Sequence, residues 1–76
     1  MSMTPADYLE YYNACIGHTS AQVARDMGVS HKTALIRLAR LESAGYIRRN
    51  ADGLYQQAAP FDAHEVNRLI SHGWTT

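Results

Sequence analysis

The chain has 76 residues, 46% of them hydrophobic and 18% charged, and its seven cationic and seven acidic side chains cancel. That length allows a single domain, 1–76, near the lower limit at which one core supports a fold, and no apolar run approaches the roughly 18 residues of a membrane span. The opening MSMTPADYLEYY lacks a basic start followed by an apolar stretch, so the expectation is a cytoplasmic protein without a secretory or transit signal.

Zero net charge argues against a nucleic-acid partner until its distribution is read. Between Arg25 and Arg49 six cations, Arg25, Lys32, Arg37, Arg40, Arg48 and Arg49, meet only Asp26 and Glu42. The acids Asp7 and Glu10 precede this stretch, and Asp52, Asp62 and Glu65 follow it, so a basic centre lies between acidic ends. The lone Cys15 has no partner for an internal disulfide and reads as a small core residue.

Thr4-Pro5-Ala6-Asp7 marks a helix start, with Thr4 as cap, Pro5 at the first helical position and Asp7 able to reach back. The first helix runs to about Ile16 and stops at Gly17. Tyr8, Leu9, Tyr12, Cys15 and Ile16 form its broad apolar face, with Tyr11 at the edge. Thr19 and Gln22 form a capping box for a second, two-turn helix that buries Val23, Ala24 and Met27. Gly28 then supplies a tight turn, Val29 plugs between helices and Ser30 caps a third helix, His31 to about Ala44, with Ala34, Leu38 and Leu41 as its buried stripe.

Gly45 lets the chain reverse into a strand at Tyr46 to Arg48, a turn at Asn50-Ala51-Asp52-Gly53 and a return strand at Leu54 to Gln56. After Pro60, Asp62 and Glu65 offer a third capping box, Val66, Leu69 and Ile70 the stripe of a last helix ending near Gly73, and Trp74 folds back onto the body. The expected fold is mainly α with a small β-hairpin, in the order α-α-α-β-β-α.

The residues Val23-Ala24, Met27-Gly28-Val29-Ser30, Leu38, Leu41 and Glu42-Ser43-Ala44-Gly45-Tyr46-Ile47 resemble the winged helix-turn-helix of bacterial and phage transcription regulators of the MarR, GntR and fimbrial-regulator kind. The resemblance covers about Thr19 to Tyr55. It implies a helix-turn-helix at 19–45 and a wing at 46–57, to which the last helix, read from its own cap and stripe, is added at 62–73. It also implies a sequence-specific, double-stranded DNA-binding regulator whose third helix enters the major groove. By the same resemblance the DNA contacts fall on Ser30, His31, Lys32, Thr33, Ile36, Arg37 and Arg40, with Arg48 and Arg49 from the wing.

The chemistry of those residue types agrees. Hydroxyls at a helix N-terminus hydrogen-bond phosphate or base edges, lysine and arginine supply charge, and arginine reads guanine in bidentate fashion. Ile36 stands about 200° from Ala34 at 100° per residue, in the middle of the exposed face. It suits either a thymine methyl group or a protein partner, whereas Leu35 at the flank is expected to be half-buried. A homodimer through the first or last helix would read a two-fold site; the alternative is an interaction module that docks on a partner protein through Ile36 and Tyr11.

Catalysis has no support in the pattern. His18, His31, His64 and His72 lack the i, i+4 spacing of zinc ligands, and there is no cysteine cluster or glycine-rich phosphate loop. The expectation is a non-enzymatic protein without cofactor or metal.

Overall fold

The computed structural model describes residues 3–74; the expected domain 1–76 extends two residues past this at each end. Its elements are α1 (Pro5–Cys15), α2 (Ser20–Met27), α3 (His31–Ser43), β1 (Ile47–Arg49), β2 (Tyr55–Gln57) and α4 (Ala63–Ser71). The order is the expected one. Both strands begin one residue later than the sequence pattern suggests, because Tyr46 still belongs to the reversal: its N–H bonds the Leu41 carbonyl at 3.0 Å.

Local chemistry accounts for the helix ends. Thr4 and Thr19 each accept from the N–H three residues on, and Asp7 and Gln22 each bond back to the cap's own N–H, so two orphan donors are satisfied at both starts. Ser30 caps α3 by accepting from the Thr33 N–H at 3.1 Å. Gly28 closes α2 at φ 68°, a left-handed turn that an L side chain resists. The third capping box is only half formed. Asp62 accepts from the His64 and Glu65 N–H groups, but the Glu65 carboxylate turns away to accept the Tyr46 hydroxyl at 2.7 Å. A buried phenol needs an acceptor, and Glu65 supplies one.

The core draws on every helix and both strands. Tyr8, Tyr11, Tyr12 and Cys15 of α1 meet Val23 of α2, Leu38 and Leu41 of α3, Tyr46 and Ile47 before and in β1, Tyr55 of β2 and Val66 of α4. Tyr12, Tyr46 and Phe61 pack as an aromatic triangle with ring centroids 5.5 to 6.5 Å apart, and the Tyr12 hydroxyl donates to the Ala59 carbonyl. Trp74 folds back as expected, its ring 4.8 Å from that of Tyr8.

Two expectations for α1 are corrected. Leu9 and Ile16 are exposed, at 37% and 39%, while Tyr11 is buried at 2% rather than lying at the edge. Because α1 packs on α2, α3 and α4 together, its buried arc centres between Tyr8 and Tyr11, and Leu9 falls about 110° from that centre at helical spacing. Ile16 has instead left the helix. It forms a parallel bridge with Tyr55, and Gly17 N–H to Tyr55 O and Tyr55 N–H to His18 O continue it at 2.8 and 3.0 Å. The segment after α1 thereby ties the free edge of the hairpin to the body.

Candidate nucleic-acid interface

Helix α3 is anchored by Ala34, Leu38 and Leu41, each 0% exposed. At 100° per residue the opposite direction carries Lys32, Ile36, Ala39 and Ser43. All four are exposed. Ile36 is 45% exposed, and Leu35, expected to be half-buried, is exposed at 36%.

The polar residues at the start of α3 are engaged with one another. Ser30 Oγ donates to Thr33 Oγ1 at 2.9 Å, and His31 Nε2 shares a 2.8 Å hydrogen bond with Ser20 Oγ at the start of α2. The second of these contacts joins the N-terminus of α2 to that of α3. Lys32 is exposed and has no partner among the described residues.

Arg37 and Arg40 lie differently. Their guanidinium groups turn back to α1, where Arg37 Nη1 donates to the Tyr11 hydroxyl and Arg40 Nη1 donates to the Tyr8 hydroxyl at 2.9 Å. Arg37 Cζ also sits 5.2 Å from the Tyr11 ring centroid, in cation–π range. Both arginines are half-buried. A groove of about 570 Å³ beside Arg37 is lined by Asp7 and Glu10 as well as Met27 and Val29. The Asp7 carboxyl there is held below its ordinary range by the Thr4 backbone N–H, then the Thr4 hydroxyl, with a further contribution from the Arg37 charge. Sequence reading placed these two arginines with Lys32 on one face. The missed signal is the matched spacing of three: Tyr8 and Tyr11 on α1 against Arg40 and Arg37 on α3, two rungs of one ladder.

In the hairpin the register pairs Arg48 with Gln56 and Arg49 with Tyr55. Neighbouring strand residues face opposite sides, so the two arginines diverge. Arg49 Cζ lies 5.4 Å from the Tyr55 ring centroid, and Arg48 shares the other face with Gln56. Both are exposed. The turn between the strands is braced by Asn50 Oδ1, which accepts from the Asp52 and Leu54 N–H groups at 2.9 and 3.0 Å.

Among the described residues no three His, Cys, Asp or Glu side chains are grouped to hold a metal ion, and no helix is long and apolar enough to cross a membrane. Comparison with protein-family profiles, curated proteins and solved structures finds no match to this chain.

Proposed function

We propose that the protein is a small double-stranded DNA-binding regulator that inserts α3 into a major groove and sets the hairpin on adjacent phosphates, working as a homodimer on a two-fold site. The observation that carries this reading is the uncovered face of α3. The helix is about 20 Å long at 1.5 Å per residue, is buried along one side only, and its outward line of Lys32, Ile36, Ala39 and Ser43 carries no acid, the exposed Glu42 lying on the Leu35 flank. An α-helix so presented fits a major groove about 12 Å wide. Lys32 at its first turn and Arg48 and Arg49 on the strand that follows are exposed cations able to meet phosphate, and Ile36 at its middle suits a thymine methyl group. Arg37 and Arg40 stand at the α1 edge of this surface, where they hold the helix more than they reach out from it.

The test is binding of fluorescent genomic duplexes between 50 and 200 mM salt. Three phosphate contacts contribute a slope of about 2.7 in log K against log salt, so their share of affinity falls about fortyfold over that range. A Lys32→Ala, Arg48→Ala, Arg49→Ala variant is expected to lose that dependence. No duplex binding at 50 mM, or an unaltered slope in the variant, would refute the proposal. Sedimentation of the protein with a bound two-fold site reads the dimer directly.

The exposure of Leu35 and Ile36 beside each other favours a second reading, in which the same face docks on a protein. An Ile36→Asp variant that loses partner capture, with the triple cation variant retaining it, would select that reading over DNA.

A further inference from the structure

Between the last turns of α3 and α4 lies a notch of about 310 Å³ lined by Ala39, Arg40, Ser43, Ala44, Leu69 and Trp74. We propose that this notch binds a small apolar monocarboxylate, with the hydrocarbon body against Trp74 and Leu69 and the carboxylate on Arg40. Its volume falls at the small end of ligand pockets, and its lining follows their usual plan of apolar walls with few polar groups.

The wall is held in place. Trp74 stands at φ 62°, a left-handed backbone that a non-glycine residue resists, so its contacts must retain it there. They are the 4.8 Å ring contact with Tyr8 and a 2.7 Å hydrogen bond from its N–H to the Leu69 carbonyl. Tyr8 also fixes the cation, because its hydroxyl accepts from Arg40 Nη1 at 2.9 Å. A guanidinium has five N–H donors, and Arg40 has no carboxylate partner among the described residues, so donors remain for a ligand.

Charge separates this notch from the larger groove by Arg37. That groove sets Asp7 and Glu10 against its one cation, whereas among the described residues Arg40 is the sole charged one lining the notch. An anion is favoured only at the second.

Trp74 is the only tryptophan of the chain, so its emission reports occupancy without a label and without reference to DNA. The probe is cyclohexanecarboxylate, compared with the neutral, similarly shaped cyclohexanecarboxamide. The carboxylate is expected to give a saturable change in emission and the amide to bind at least about tenfold more weakly, the factor that a charge-assisted hydrogen bond confers. Arg40→Gln is expected to erase that difference, and Ala39→Leu, which fills the notch from its outer wall, to abolish both signals. No saturable change with the carboxylate overturns the proposal. So does equal binding of the amide, or full carboxylate affinity in an Arg40→Gln protein with native circular dichroism. Should Arg40→Gln fail to fold, the carboxylate and amide comparison on the unaltered protein and the Ala39→Leu variant decide.

Discussion

Replacing Arg37 with alanine separates the two roles that the cations of α3 can have. In the structure Arg37 donates to the Tyr11 hydroxyl and lies over the Tyr11 ring at 5.2 Å, while Tyr11 itself is 2% exposed. The hydrogen bond contributes about 1 kcal/mol, and the cation–π contact at a half-buried site about 0.5–1 kcal/mol more. Arg37→Ala is therefore expected to destabilise the fold by about 1.5–2 kcal/mol, which for a domain of this size lowers Tm by about 6–16 °C. Lys32→Ala, at an exposed position with no partner among the described residues, is expected to stay within about 0.5 kcal/mol of the parent. Tyr11→Phe keeps the ring and removes the acceptor, so a cycle of Arg37→Ala and Tyr11→Phe should show a coupling of about 1 kcal/mol. Urea unfolding followed by circular dichroism measures all five proteins, the parent and double variant included. A cycle coupling near zero, or an Arg37→Ala protein as stable as Lys32→Ala, would refute the assignment of Arg37 to the α1 contact.

Two further predictions concern the turn and the buried thiol. Gly28→Ala meets no steric obstacle, since a Cβ there finds nothing within 4 Å, so its cost is that of the φ 68° backbone alone, about 1–2 kcal/mol in a thermal melt. Burial pushes the Cys15 thiol up from 9.0 to about 11, so above pH 9 the unfolded chain gives up a proton that the folded chain keeps. Fewer protons on the unfolded state make stability fall as pH rises, by about 1 kcal/mol for Cys15 at pH 10, and Cys15→Ala should remove that share of the loss. Tyr46 and Tyr55, whose phenols burial also pushes up from 10.0, deepen the loss at higher pH. Melts between pH 7 and 10.5 follow both.

The elements that were legible in the sequence are those with local causes. Thr4, Thr19 and Ser30 cap helices through bonds that span three residues, and Gly28, Gly45 and Gly53 stand where the backbone is left-handed, so residue type and spacing alone locate them. What was not legible depends on partners far along the chain. Glu65 leaves its capping box for Tyr46, 19 residues away, and Leu9 is displaced from the core because α1 faces three helices at once. Phe61, which packs against the core, carries a local signal outside the expected stripe: it precedes the Asp62 cap and stands five residues before Val66, the spacing of a hydrophobic staple. For the candidate site the same division holds: the cations of α3 are visible as a cluster, but which of them turn back to α1 is decided by tyrosines 26 and 32 residues earlier.

That division bears on how α3 could serve as a reading element. A helix that carries base contacts must be held within a narrow range of positions, and side chains that reach outward cannot also provide the hold. Here the apolar stripe of Ala34, Leu38 and Leu41 supplies the bulk of the anchoring, but it lies on one line and leaves the helix free to roll about its axis. The two Tyr–Arg rungs act off that line, on the α1 flank, and the Ser20–His31 bond acts on the α2 side at the first turn. Three polar contacts on two flanks oppose roll in both directions. They leave Lys32 and Ile36 uncommitted, so if α3 reads DNA as proposed, those two residues, rather than the arginines, are the place where a change alters recognition without altering the fold.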